Sequence, residues 1–280
     1  MKVAFLGPAG TFAEEALRAS APGPVEELPY PTVHETVLAV QEGAVDRAVV
    51  PIENSLEGGV AATLDALATD AGDVRIVAEV VHPVHHCALA ASELALEDAQ
   101  RVFSHPQATA QCRRFLLERL PRAERVASPS TAEAVRVVAE AGSAEPWLAL
   151  GSRLSAELYG AVVLEENVED RADNETRFVW LARAGEVEPP APGSRSKTSV
   201  VFWGAGDESP GWLVAVLSEL SEREINLTRI ESRPRRVRLG HYMFFLDLEG
   251  PEADPHVSEA LAALRERVET LRVLGSYPAA

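Results

Sequence analysis

Along the first 160 residues, short apolar runs alternate with longer stretches in which apolar positions recur every three or four residues. KVAFLG, VDRAVVP, QRVFS and PWLALG read as strands, and TFAEEALRAS, GGVAATLDALA, PQATAQCRRFLLERL and SRLSAELYG follow them with helical spacing. Strand-then-helix order, repeated, predicts an α/β fold with mostly parallel sheets, in which ligands bind beyond the carboxyl ends of the strands. A Pro/Gly/Ser-rich stretch without periodicity, RAGEVEPPAPGSRSK (183–197), then interrupts the pattern. Beyond it, strand TSVVFW (198–203), a helix over 211–223, strands over 225–233 and 240–249, a helix over 254–267 and a strand over 270–277 give the β-α-β-β-α-β order of a ferredoxin-like domain. The expected organisation is a domain over residues 1–183, a linker over 184–196 and a second domain over 197–280.

Composition narrows the function. The 280 residues suffice for two domains, and 46% apolar with 25% charged residues is ordinary for a soluble protein. No apolar run approaches the ~20 residues of a membrane span, and the apolar start MKVAFLGPAG is too short for a signal peptide, so a cytoplasmic location is expected. A net charge of −17 repels nucleic acid and anionic membrane, so an anionic ligand must be held by local features. The Arg run TRIESRPRRVR (228–238) lacks interleaved aromatics and reads as a solvated strand and loop. Cys87 and Cys112 read as small core residues. HPVHHC (82–87) has no companion cluster at metal-ligand spacing, and no metal site is expected.

Candidate chemistry gathers where strands meet helices. GPAGTF (7–12), PIENSLEGG (51–59), SHPQ (104–107) and Gly151-Ser152 place small polar residues at helix starts, and SHPQ has the form of a capping box. Helix starts expose unpaired N–H groups and a partial positive charge, so several on one rim make an anion site without excess basic residues. Single junctions of this kind are commonly just caps. The stretch DNETRFVW (173–180) places a hydroxyl and a guanidinium at the mouth of a strand. Strand alternation puts Thr176 and Phe178 on one face and Arg177 on the other. Either the Arg holds a carboxylate or it is a solvated residue on a strand edge.

Taken in order, GPAGTFAEEA (7–16), VPIENSLEGGV (50–60), SHPQATAQC (104–112), AELYG (156–160), NETRF (174–178), INLTRIESRP (225–234) and LGSYP (274–278) resemble prephenate dehydratase, the monofunctional bacterial type with a C-terminal ACT regulatory domain. No chorismate mutase segment precedes Met1, so the bifunctional form is not expected. The resemblance implies a two-lobed catalytic domain like the type II periplasmic binding proteins, a ferredoxin-like ACT domain, and conversion of prephenate to phenylpyruvate, CO2 and water without metal or organic cofactor. It implies Thr176 as the catalytic residue, with Thr11, Asn54, Ser55, Ser104, Gln107, Gln111, Arg177 and Phe178 binding substrate. Arg177 is expected to hold the side-chain carboxylate, and Phe178 to belong to an apolar wall. For an L-phenylalanine effector it implies Gly211, Leu213, Val214, Asn226, Leu227, Glu231 and Ser232, shared between subunits of a homodimer or homotetramer. The sequence departs from the family at Gly151, at Val168-Glu169-Asp170 and at Trp212, which stands where the family has Ala. Arogenate dehydratase and a non-catalytic amino-acid sensor are the competing functions; the latter has no use for the Thr176 hydroxyl.

Overall fold

The computed structural model describes residues 1–186, 188–204, 206 and 209–280; Val187, in the stretch read as a linker, and Ala205, Asp207 and Glu208 lie outside the described residues. The chain begins with β1 (Lys2–Leu6), α1 (Phe12–Ser20), β2 (Glu26–Tyr30), α2 (Val33–Gln41), β3 (Arg47–Asn54), the short β4 (Gly58–Gly59), α3 (Ala61–Thr69) and β5 (Val74–Pro83). It crosses into a second lobe of β6 (Cys87–Ala90), β7 (Arg101–Ser104), α4 (Pro106–Gln111), α5 (Arg113–Arg119), β8 (Glu124–Ala127), α6 (Thr131–Ala141), β9 (Trp147–Gly151), α7 (Arg153–Tyr159) and β10 (Val162–Glu165). It then returns to the first lobe as β11 (Glu175–Arg183). The last part holds β12 (Ser196–Trp203), α8 (Trp212–Ser221), β13 (Leu227–Pro234), β14 (Tyr242–Glu249), α9 (Pro255–Arg267) and β15 (Thr270–Pro278).

Each lobe has its own sheet, ordered β2-β1-β3-β11-β5 in the first and β10-β6-β9-β7-β8 in the second. Neither is mostly parallel, as the strand–helix alternation predicts. The returning β11 runs antiparallel to both β3 and β5, and β6 runs antiparallel to β9 and β10. The reason is the double crossing, which feeds strands back into each sheet from the opposite direction. The third sheet, β13-β14-β12-β15, is antiparallel throughout, as the βαββαβ order requires.

Local chemistry accounts for the differences in element bounds. Residues 106–120 read as one helix but form α4 and α5, broken at Cys112 (φ −107°, ψ 25°). The edge strands β2 (EELPY) and β8 (ERVA) carry too few apolar residues to be read as strands; they form because β1 and β7 pair with them. SHPQ is not a capping box. Pro106 occupies the first turn of α4, so His105 becomes the N-cap, and its Nδ1 accepts from Gln107 N at 3.3 Å. Ser104 Oγ instead donates to His105 O at 3.2 Å. Gly151 is explained by Val135, whose Cγ2 lies 2.3 Å from where a Cβ would stand.

The third sheet buries α8 and α9 on one face and packs its other face on the first lobe. Val201, Met243, Phe245, Leu274 and Tyr277 share one buried cluster with Ile76, Val179 and Leu181 of the first lobe. At Gly275 the backbones approach so closely that a Cβ would sit 2.1 Å from Ile76 O. Both strands are fixed by their own sheets, so Gly275→Ala is expected to destabilise by about 1–3 kcal/mol, as overpacking does. The check is the urea midpoint of the variant against the parent.

Candidate active site

The lobes face each other across a cavity of about 220 Å³. Its floor is the carboxyl ends of strands, Leu6 of β1 and Asn54 of β3, as an α/β architecture favours. The second lobe supplies Gln107 and Gln111 of α4 and the amino end of α6 at Ser130 and Thr131. The chain crossings supply Val84, His86 and Asn174, with Thr176 just inside β11. Across the lobes, Tyr159 Oη donates to Ala9 O at 2.7 Å and Ser152 Oγ to Gly10 O at 2.9 Å. Gly10 (φ +86°) has no room for a side chain, since a Cβ would stand 2.9 Å from Ser155 Cβ. The sequence stretches GPAGTF and AELYG therefore meet and fix one side of the cleft.

Hydrogen bonds orient the polar groups. Asn54 Oδ1 accepts from the backbone N–H groups of Leu56 (3.0 Å) and Glu57 (3.1 Å). That fixes the amide, so Asn54 Nδ2 must donate, and it does so to Thr176 Oγ1 at 2.9 Å and to Asn174 Oδ1 at 2.8 Å. Thr176 Oγ1 accepts that bond, and its own proton has no acceptor among the described residues. Asn174 Nδ2 donates to Gln111 Oε1 at 3.2 Å, and His86 Nε2 lies 3.1 Å from the same oxygen. Burial lowers the His86 pKa, which favours the neutral ring.

Of the residues anticipated from sequence, Thr176, Asn54, Gln107 and Gln111 are brought together here. Thr11 is not: its hydroxyl donates to Leu6 O at 2.8 Å and serves the loop. Ser55 Oγ accepts from Glu175 N at 3.0 Å and ties β3 to β11 outside the cavity. Ser104 is buried below α4. Phe178 belongs to a core cluster with Phe5, Leu17 and Trp180, and the apolar wall is Leu6, Phe12 and Val84 instead. His86 and Asn174 were missed. The signal for Asn174 was its place inside the family stretch NETRF, and HPVHHC offered His86 only as part of an apparent metal cluster.

Arg177 is the largest correction. It does not enter the cleft, because β11 turns it to the opposite face, against the third sheet. There Nη2 donates to Asp247 Oδ2 at 2.5 Å and Nη1 to Glu79 Oε2 at 3.1 Å. Its Nε lies 3.3 Å from Glu53 Oε2, close enough for charge attraction but off the axis of a hydrogen bond. Burial pulls the guanidinium pKa down, yet Asp247 and Glu79 outweigh it, and the net shift is upward. Lys197 Nζ reaches Glu79 Oε1 at 2.7 Å, and Ser199 Oγ donates to Asp247 Oδ1 at 2.6 Å. The cavity lining consequently has no Arg or Lys among the described residues.

A second cavity, of about 200 Å³, lies at the start of α8, lined by Gly211, Leu213 and Val214 together with Trp212, Tyr242 and Phe244. Trp212 turns its indole toward Phe202 and Phe244 (both at 6.0 Å) and donates from Nε1 to Arg267 O at 3.0 Å. Asn226, Leu227, Glu231 and Ser232 do not line this cavity. Leu227 packs against the helices, and Glu231 accepts from Arg229 Nη2 at 2.5 Å. The reason is placement: Leu227, Glu231 and Ser232 are on β13, the outer strand of its sheet, and Asn226 just precedes it, whereas the cavity lies at the start of α8.

Two α/β lobes around a cleft of neutral polar groups, held by a buried ion cluster to a ferredoxin-like domain, define a two-lobed binding-cleft protein with an appended domain. Comparison with known proteins specifies the family. The prephenate dehydratase model matches residues 3–186 and the ACT domain model residues 198–266. A prephenate dehydratase of Amycolatopsis methanolica is 41% identical over 99% of this chain and 88% of its own length. Among solved structures, prephenate dehydratase of Arthrobacter aurescens in complex with L-Phe superposes with a TM-score of 0.90 at 38% identity, covering 100% of this chain and 90% of that one. A chain described as GqqA, a novel type of quorum quenching acylase, gives 0.88 at 35% identity, covering 100% and 98%. The chain belongs to the prephenate dehydratase family.

Proposed function

We propose that this chain converts prephenate to phenylpyruvate, CO2 and water, and that L-phenylalanine inhibits it through the domain over 197–280. The observation that carries the reading is the Thr176 hydroxyl in the cleft lining, whose oxygen accepts from the Asn54 amide and whose proton is left for a ligand. Prephenate is a dianion, and the products retain one carboxylate, so one proton is taken up as the ring hydroxyl leaves as water. Thr176 gives that proton to the departing oxygen and regains one from solvent, and the Asn54 N–H stabilises the negative charge growing meanwhile on Oγ1. The amino end of α6 and the Gln107 and Gln111 amides hold the side-chain carboxylate without a cation. The ring carboxylate, set against Leu6, Phe12 and Val84, is solvated worse than in water, which favours its loss as CO2.

Exposed apolar side chains on this domain, Val214 (69%), Ile230 (52%) and Tyr242 (42%), support its assembly with a second copy. No helix among the described residues is long and apolar enough to cross a membrane, and a cytoplasmic biosynthetic role is our reading.

The likeness to a quorum quenching acylase supports a second reading, amide hydrolysis. A hydroxyl nucleophile needs a base beside it, whereas Thr176 has the Asn54 amide, a donor. One assay separates the possibilities: phenylpyruvate absorbance from prephenate and, separately, phenylalanine release from arogenate, each with and without L-phenylalanine, beside hydrolysis of an N-acyl amide. Turnover of prephenate, suppressed by L-phenylalanine, is expected. Preference for arogenate would change the substrate, and hydrolysis of the amide alone would replace the reaction.

A further inference from the structure

We propose that His86 and Asn174 are positioning residues for the reaction: Asn174 Nδ2 and His86 Nε2 both donate to Gln111 Oε1, and together they turn the Gln111 Nε2 donors into the cleft for substrate. The inference rests on the proposed reaction, in which Gln111 holds substrate, and its direction follows from the backbone. Leu56 N–H and Glu57 N–H can only donate, so Asn54 Oδ1 accepts and Asn54 Nδ2 donates. Asn174 Oδ1 therefore accepts, its Nδ2 donates, and Gln111 Oε1 accepts. At that oxygen the His86 Nε2 must carry hydrogen, which sets the ring tautomer.

The remaining valences fit the role. Gln111 is left with its Nε2 donors free for substrate. His86 Nδ1 is buried with no hydrogen-bond partner, so nothing but the Gln111 contact fixes the tautomer. These hydrogen bonds also join both lobes, since Gln111 is on α4, Asn54 and Thr176 are in the first sheet, and His86 and Asn174 lie on the crossings. The Gln111 amide is thus held in this orientation only while the lobes stand in register.

Two substitutions at His86 separate positioning from packing, because the ring also meets Phe12 edge-on at 5.4 Å. His86→Phe keeps a ring and loses the donor, whereas His86→Gln keeps a donor near the Nε2 position and loses the ring. We expect kcat/KM to fall by about 10- to 100-fold in His86→Phe, since misplacement of a group that orients the substrate has that effect. His86→Gln should recover most of the loss. The reverse order, Phe active and Gln impaired, would overturn the proposal. A readout free of activity is the 15N spectrum of the intact parent protein, which should show His86 as the Nε2–H tautomer. In Asn174→Asp, a carboxylate oxygen faces Gln111 Oε1, Gln111 must flip, and the Nδ1–H tautomer should appear. An Nδ1–H tautomer in the parent would sink the proposal even if Thr176 is the proton donor. Full activity of Thr176→Val with the expected tautomer would instead sink the reading of Thr176.

Discussion

Thr176→Val is expected to lower turnover by about 100- to 1,000-fold, the range for removing one donor aimed at charge developing in a transition state. Valine keeps the volume and the β-branched preference of a strand residue, so β11 should pair as before. The loss should fall on kcat rather than KM, because the hydroxyl acts on a leaving group whose charge appears only as the bond breaks. One secondary effect follows from geometry: Asn54 Nδ2 loses one acceptor but keeps Asn174 Oδ1 and Glu175 O, so the cleft should retain its shape. Steady-state kinetics on prephenate, beside circular dichroism to verify the fold, is the measurement. Near-normal kcat would remove Thr176 from the reaction.

Arg177→Met is expected to cost about 3–5 kcal/mol of stability, the range for breaking a buried ion pair from one side. Its partners have no ready alternative. The side chains of Glu79 and Asp247 are 0% and 2% exposed, and removal of the guanidinium leaves them with Lys197 and Ser199. Urea denaturation of the single variant, and of Arg177→Met combined with Asp247→Leu, gives the test. The double variant should be more stable than the sum of its singles, because the uncompensated charge is gone. Had Arg177 held the substrate carboxylate, its loss would raise KM and leave the urea midpoint nearly unchanged; that pattern would reverse the assignment.

The two residues, adjacent in sequence, show what could be read from the chain and what could not. Alternation along FVWLA told that Thr176 and Arg177 face opposite ways, and they do. What lay beneath Arg177 could not be told, because Asp247 is 70 residues away and reaches it only through packing of one sheet on another. The βαββαβ order was legible from the succession of elements more than from periodicity, since the alternation along HYMFFLDLE is only partial. The mixed sheets were not, since pairing direction depends on where the chain returns. Junction residues announced a polar rim, yet Thr11 and Ser55 spend their hydroxyls on the loops that build it. The amides of Asn54 and Asn174 acquire direction only from partners such as Leu56 N–H that sequence spacing does not reveal.

The close approach of Gly275 to Ile76 has a consequence for how such a chain can change over time. A sensor that shares a core and an ion cluster with its enzyme is not an interchangeable cassette. Exchanging the last 84 residues, 197–280, for those of a relative would bring a foreign surface onto Ile76, Val179, Leu181 and Glu79. Drift on either side must be answered on the other, so the halves should be inherited as a pair, and a working hybrid would need its seam rebuilt from both sides.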